Sequence, residues 1–401
     1  MRLTIICATA TPFAVSCRFA VVPEFKIGYV GAGSYLPAKV LTNDDLAAIV
    51  DTDDEWIIRR TGIRERHILS ADESILDMAV GAARAAIANA GIHAEEITDI
   101  RVGVNTWARF PSLATQVQAE LGLNGCSAAD VSAGCAGFVY AVEEAYNKLY
   151  VERQLYDRRG TALVIGVDGL SHITNWQDRS TCVLLGDGAG AVVMREVEAG
   201  GILAIRTCAE GRHGQLLYCE SALGTQWAPA SPGPPTHDTS PGPPTHDMNP
   251  GQATHDTGPR PFTHETAGVR PYLHMDGRRV YGVAVRTMVE DARAVIELFN
   301  RNNPSPIGVE DIGFVYPHQA NLRIIEKVAS KLEIPLERVY TNGIEKFGNT
   351  STASIPIGYV DPAARQQPAA EGDYEIDVAF GSGFASGAIL REVGPTSATD
   401  C

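Results

Sequence analysis

No cysteine in this chain has a partner at metal-binding or disulfide-framework spacing. The eight cysteines (Cys7, Cys17, Cys126, Cys135, Cys182, Cys208, Cys219 and Cys401) include no Cys-x-x-Cys pair and no dense cluster. That excludes a zinc ribbon and a disulfide-stapled scaffold and makes a reducing cytoplasm the expected compartment. Positive charge is in deficit, with 33 Lys and Arg against 48 Asp and Glu for a net charge of −15. Such a balance argues against a nucleic-acid binder while leaving room for a local basic patch that meets an acidic protein. A membrane-spanning run of about 20 apolar residues is also missing. The nearest approach, Ile5 to Val22, has Arg18 inside it and Arg2 ahead of it. It lacks the clean apolar core and cleavage site of a secretory signal, so residues 1–25 read as a disordered extension, or as the product of a start site placed too far upstream. Nor is there a phosphate loop: in Leu185 to Ala191 (LGDGAGA) the G-x-G-x-x-G spacing fails and no Lys-Ser/Thr follows.

What remains is a soluble composition, 45% hydrophobic and 20% charged over 401 residues, long enough for two domains or one duplicated one. The chain is organised around Val131-Ser132-Ala133-Gly134-Cys135-Ala136-Gly137-Phe138. Here an apolar strand-like run gives way to Val139, Val142, Tyr146 and Leu149, one face of a helix. Cys135 is therefore expected at or beside a helix N-terminus, where free N–H groups and the dipole favour a thiolate and lower a thiol pKa by about one unit or more. Gly134 and Gly137 keep the approach open to a bulky substrate and permit close packing. On these eight residues alone, a buried structural cysteine is an equal alternative.

Taken in order, Ile27 to Ala32 reads as a strand ended by the breakers Gly31-Ala32-Gly33 and Leu36-Pro37, and Thr42 or Asn43 can cap a helix over residues 44–50. On its own content, the charged segment from Thr52 to His67 reads as a solvated surface loop. Leu76, Ala79, Ala83, Ala86 and Ala90 mark a helix with a small face that stops at Gly91. Strands are expected at 97–104 and 162–167, the latter covered on both faces. The glycines dividing Val183 to Val193 suggest a bulge or close backbone approach. Residues 231–266 repeat one nine-residue register four times, spacing His237, His246, His255 and His264 evenly. Their proline and glycine content predicts a polyproline-like surface insert that arose by tandem duplication, on which the histidines have no preformed metal geometry. A long helix is expected over 281–299, a strand at 312–316, a helix over 322–332 and a last strand at 376–380. This alternation predicts an α/β fold with sites at strand ends. The N-terminal half would span 26–200, the C-terminal half 201–393 and the tail 394–401.

Cys135, His318 and Asn349 each stand at the end of an apolar strand or the opening of a helix. Together they suit carbanion chemistry at a thioester: the cysteine takes an acyl group, while a neutral imidazole and a carboxamide donate to a developing enolate. At these residues the chain resembles the β-ketoacyl-acyl-carrier-protein synthase III family of the thiolase superfamily. The resemblance runs from about Ile27 to Val393. Its motifs are DTDDEWIIRRTGIRERH (Asp51 to His67), GCAGF (Gly134 to Phe138), PHQANLRII (Pro317 to Ile325) and GNTSTASIP (Gly348 to Pro356), with LGDGAGA in support.

The resemblance implies a thiolase fold, two similar βαβαβαββ halves in an α-β-α-β-α sandwich, in a homodimer. It implies that Cys135 is acylated by acyl-coenzyme A, and that His318 and Asn349 promote decarboxylation of a malonyl thioester carried by acyl carrier protein. The product is a β-ketoacyl thioester, in fatty-acid initiation or polyketide starter synthesis. By the same resemblance Trp56 stacks on the coenzyme A adenine, with Arg179 on its other face. Thr52 and Arg60 line the entrance, Phe110 reaches the partner subunit's acyl pocket, Asn321 supports the site, and Gly381 to Gly383 form a loop beneath the nucleophile. No metal, flavin or redox cofactor is implied; coenzyme A thioester is the substrate.

The chain also departs from the pattern. Gly282 stands where the family commonly has a lysine for carrier docking, which leaves Arg323, with Arg278 and Arg279 as compensating charges. Ala385-Ser386 replaces a Thr/Ser-Trp pair, and the bulky Trp107 sits in the acyl-pocket segment. These changes leave open a specialised synthase, an ordinary initiator, an acyltransferase acting on an alcohol or amine, and a silent heterodimer partner.

Overall fold

The computed structural model describes residues 25–219, 272–301, 303–364 and 369–394. The expected extension up to residue 24, the repeats at 231–266 with their four histidines and the tail from 395 lie outside these residues. The first half opens with β1 (Lys26–Tyr35), β2 (Lys39–Thr42), α1 (Asn43–Ala47) and α2 (Asp54–Thr61). Then come β3 (Glu65–Ile68), α3 (Ile75–Asn89), β4 (Asp99–Gly103), α4 (Leu113–Glu120) and β5 (Ser127–Val131). It closes with α5 (Gly137–Tyr156), β6 (Thr161–Gly169), α6 (Arg179–Cys182) and β7 (Asp187–Val197). The second half contains β8 (Gly201–Ala209), the hairpin strands β9 (Leu217–Cys219) and β10 (Leu273–Met275), α7 (Gly277–Asn300), β11 (Ile312–Pro317) and α8 (Leu322–Leu332). It ends with α9 (Asn342–Phe347), α10 (Ser354–Gly358), β12 (Tyr374–Phe380) and β13 (Ala385–Glu392).

Two mixed sheets result, one ordered β1-β7-β6-β4-β5 and one ordered β11-β12-β13-β8. β4 runs parallel to β5 and β6, and β11 parallel to β12, while the other ladders of these sheets are antiparallel. Helix α3 packs on the outer face of the first sheet and α7 on the second, while α5 lies between the sheets and touches both. The order is α-β-α-β-α. All nine residues of β6 are buried, as its unbroken apolar run predicts for a strand covered on both faces. Phe138, Val139 and Val142 on α5 join Phe314, Tyr316 and Ile389 of the second half in one cluster. The packing of the halves is thus continuous with the helix that carries the nucleophile.

Two local expectations need correction. Gly31 and Gly33 do not end β1, which continues to Tyr35. A Cβ on Gly33 would lie 2.3 Å from the backbone nitrogen of Ala86, and one on Gly31 2.5 Å from that of Ala90. These glycines let the alanine face of α3 press onto the strand, so they serve packing inside the element and not chain reversal. The segment from Thr52 to His67 is no surface loop. Asp53 caps α2 by accepting from the Trp56 N–H at 2.7 Å, and Gly62 closes it in the left-handed conformation. Arg66 is fully buried and donates to the carbonyls of Leu41 and Val183. Thr42, not Asn43, caps α1 through a reciprocal bond with Asp45.

Candidate active site

Cys135 directly precedes Ala136, the N-cap of α5. The chain turns sharply there, with the Gly137 N–H donating to the Gly134 carbonyl at 3.0 Å. A Cβ on Gly381 would stand 2.2 Å from the Cys135 nitrogen, so the loop after β12 presses backbone to backbone beneath the nucleophile. Gly383, at φ +69°, lets that loop turn. Asp168 braces the other side. Its buried carboxylate accepts from Asn105 N, Asn105 Nδ2, Thr106 N, Thr106 Oγ1 and Thr352 Oγ1, and Asn105 Nδ2 also donates to the Gly134 carbonyl.

The thiol does not have the lowered pKa its position suggests. Burial pushes it up to about 11, against a smaller lowering by the Ser351 hydroxyl, 3.5 Å from Sγ. Helix-terminal dipoles are worth only about 0.3–1 kcal/mol for most charges, and desolvation of a charge exceeds that. The resting nucleophile is a neutral thiol, with partial access to the cavity.

His318 follows the last residue of β11 and is 2% exposed. Its N–H donates to the Val378 carbonyl at 2.8 Å, and Nδ1 lies 2.7 Å from Ser354 Oγ. Desolvation lowers its pKa to about 3, so the ring is neutral. The neighbouring Gln319 bonds through Nε2 to the carbonyls of Pro317 and Tyr340 and through Oε1 to the Ile344 N–H, which fixes the turn. Asn349 is held by a two-bond bridge: its N–H donates to the Leu184 carbonyl at 2.8 Å and its carbonyl accepts from Gly186 N at 2.9 Å. Its Oδ1 accepts from Ser351 N at 2.9 Å, leaving Nδ2 as the donor end of the amide, without a partner among the described residues. Gly166 makes room for this turn, since a Cβ there would lie 2.2 Å from the Thr352 carbonyl oxygen. The side chains of a first-half loop and two second-half loops meet in one cavity of about 620 Å³, lined by Cys135, His318 and Asn349 together.

Trp56, Arg60, Arg179, Asn321 and Arg323 line the same cavity. The Arg179 guanidinium lies 4.8 Å from the Trp56 ring centroid and that of Arg60 5.7 Å. Asn321 caps α8 by accepting from Arg323 N at 2.9 Å and donates through Nδ2 to the Arg60 carbonyl at 3.1 Å, tying α8 to α2. Six sequence candidates do not line the cavity: Gly381 and Gly383 of the loop after β12, Thr52, Phe110, Arg278 and Arg279. Thr52 has a buried Oγ1 without a hydrogen-bond partner among the described residues. Phe110 is 92% exposed. Arg278 and Arg279 are exposed in the first turn of α7, between the lining residues Gly277 and Val280. Gly282 is exposed, with open space where a Cβ would be.

Sequence reading missed three parts of the site. The Asn105–Asp168 brace lay in strand ends that looked unremarkable. Leu217, Leu273 and Met275 of the β9–β10 hairpin form an apolar wall of the cavity, but their strands are three residues long and flank the repeat segment. Ser351 and Ser354 were visible only as small residues inside a motif. Among the described residues, no group of three or more His, Cys, Asp or Glu is placed to hold a metal, and no helix is long and apolar enough to cross a membrane.

Comparison with known proteins adds to this geometry. Residues 129–211 match the family model for 3-oxoacyl-[acyl-carrier-protein] synthase III, and residues 304–393 match the model for its C-terminal part. The chain is 40% identical over 367 residues to the β-ketoacyl-[acyl-carrier-protein] synthase III of Rhodospirillum centenum, covering 90% of this chain and 97% of that one. The crystal structure of the Aquifex aeolicus 3-oxoacyl-[acyl-carrier-protein] synthase III superposes with a TM-score of 0.72 at 38% identity, over 92% of this chain and all (100%) of that one. A priming β-ketosynthase from a polyketide biosynthetic pathway superposes with a TM-score of 0.73 at 28% identity, over 94% and 99% of the two chains. A shared fold alone would leave the chemistry open; here near-complete coverage at this identity accompanies a convergent Cys, His and Asn, and the chain belongs to the β-ketoacyl-[acyl-carrier-protein] synthase III family.

Proposed function

We propose that this condensing enzyme loads an acyl group from acyl-coenzyme A onto Cys135 and then extends it by decarboxylative Claisen condensation with malonyl-acyl carrier protein. The observation that carries the reading is the convergence of Cys135, a neutral His318 and the donor end of Asn349 on one cavity. In loading, Sγ attacks the thioester carbonyl, the bond to the coenzyme A sulfur breaks, and the thiol proton ends on coenzyme A. In condensation, the malonyl carboxylate leaves as CO2. The resulting enolate attacks the Cys135 thioester, the cysteine sulfur leaves, and one proton from solvent restores the thiol. A neutral imidazole and a carboxamide suit the enolate step, because they donate to oxygen without protonating the carbanion.

The mouth of the cavity supports a coenzyme A site. An adenine would insert between Trp56 and Arg179, which now lies against that ring. Arg60 and Arg323 supply charge for the phosphates and for an acidic carrier, with Arg278 and Arg279 nearby. A homodimer is part of the same reading, supported by the exposed Phe110 and by β5 at the edge of its sheet. So is a reducing cytoplasm, supported by the free thiols of Cys126, Cys135, Cys182 and Cys208. The test uses malonyl-acyl carrier protein labelled in its free carboxylate. Labelled CO2 released in step with β-ketoacyl product, and dependent on acyl-coenzyme A, is the expected result. Acyl turnover without CO2 release would remove condensation from the reading.

A further inference from the structure

Two serines on the turn after Asn349 each touch a different member of the reacting set. Ser351 is 2% exposed and adopts φ +53°, a strained conformation for a residue with a side chain. That backbone sends its N–H to Asn349 Oδ1 at 2.9 Å and its hydroxyl to Cys135 Sγ at 3.5 Å. Apart from the cysteine's own backbone N–H, this hydroxyl is the thiol's hydrogen-bonding partner among the described residues. Three residues on, Ser354 is 3% exposed and lies 2.7 Å from Nδ1 of His318. Ser354 Oγ also accepts from the Gln319 N–H at 3.3 Å, and its one hydroxyl hydrogen can donate to Nδ1. A neutral ring that accepts at Nδ1 carries its proton on Nε2.

We propose that these serines divide the two half-reactions: Ser351 donates to the Cys135 sulfur in acyl loading, and Ser354 positions His318 for condensation by holding its proton on Nε2. This rests on the assignment of Cys135 as nucleophile and His318 as enolate donor. An enolate oxygen can only accept, so the opposite tautomer would present it with a lone pair. The sulfur becomes an anion as it attacks and again as it leaves, so a donor held against it strengthens at those moments. Ser351 touches a reacting atom and is catalytic in that sense; Ser354 acts through the imidazole.

The experiment compares full-length wild type with Ser351→Ala, Ser351→Gly, Ser354→Ala and Ser354→Thr. Cys135 alkylation by iodoacetamide is followed against pH, and acyl loading and malonyl-dependent discharge are timed separately by mass. Loss of a hydrogen bond to a charged group predicts roughly tenfold slower alkylation and loading for Ser351→Ala, with the pH profile displaced upward by about one unit. Glycine accepts the left-handed backbone, so Ser351→Gly removes the hydroxyl without adding strain and should match alanine. Ser354→Ala should load at the wild-type rate and condense roughly tenfold more slowly, with threonine restoring most of the loss. An unmoved alkylation profile in both Ser351 variants would overturn the first half of the proposal. Loading slowed as much as condensation in Ser354→Ala, or no rescue by threonine, would overturn the second. Cys135→Ala runs alongside: acyl loading that survives it would sink the nucleophile assignment itself, a different failure.

Discussion

At the floor of the cavity His318 and its neighbours are locked by backbone bonds on every side: Val378 to the histidine N–H, Gln319 across two carbonyls, and Leu184 and Gly186 around Asn349. At the mouth Trp56 is half-buried, Arg60, Arg179 and Arg323 are exposed, and ring-to-guanidinium contacts and two bonds from Asn321 hold them together. The floor is preorganised for charge that develops in a dry site, where fixed donors count most. The mouth is held by side-chain contacts at the surface. Substitutions at the floor should therefore act on chemical steps, and substitutions at the mouth on binding.

The sharpest way to break that contrast is to remove the enolate donors. His318→Ala and Asn349→Ala should each load acyl groups normally and lose malonyl decarboxylation by about 100- to 1,000-fold, measured as CO2 release. Normal condensation by either variant would show that the floor residue is structural.

The pH dependence sharpens it next. With the thiol raised to about 11, alkylation of the free enzyme at neutral pH should be slower than that of an exposed thiol and climb with pH toward that value. Because the folded thiol pKa is raised, its contribution to stability is present below the ordinary thiol value and is lost as pH rises through about 11. For His318 the sign is opposite. Its folded pKa of about 3 lies below the ordinary 6.5, so its contribution is present above 6.5 and is lost as pH falls toward 3. Denaturant titrations from neutral to acid pH should show His318→Gln losing less stability than wild type over that window. Condensation should show no imidazolium limb near neutrality.

Smaller effects belong to the mouth. Trp56→Ala should raise the KM for acyl-coenzyme A roughly five- to tenfold, the worth of a stacked ring and its cation contact, and leave discharge of preloaded enzyme unchanged. Gly282→Lys should have the least effect. It faces open space, so it should raise helix stability by about 0.5–1 kcal/mol and lower the KM for malonyl-acyl carrier protein a few-fold at low salt only.

The same contrast explains what the sequence made legible. The helix expected over 322–332 matches α8 to the residue, because its apolar stripe and the Asn321 cap are both local features. The doubly covered β6 is legible for the same reason. Cys135, His318 and Asn349 stand out because each lies at the end of an apolar strand or at the opening of a helix. Other features depend on partners far along the chain. Gly31 and Gly33 look like breakers until α3 is laid on them. Arg66 looks solvated until Leu41 and Val183 offer it their carbonyls. The thiol pKa misleads most, since the helix start is written locally while the burial that outweighs it comes from the whole fold. Ser351 and Ser354 are silent for a similar reason: small polar residues gain meaning only from what lies within hydrogen-bond reach.

The most direct test of the central claim is intact-protein mass spectrometry of the full chain, loaded from a panel of acyl-coenzyme A species and chased with malonyl-acyl carrier protein. The account predicts one acyl group on Cys135, absent in Cys135→Ala, and its discharge by the malonyl chase as a β-ketoacyl thioester. An acyl group that stays on the enzyme during that chase but leaves to an alcohol or amine, or that loads without Cys135, would contradict it.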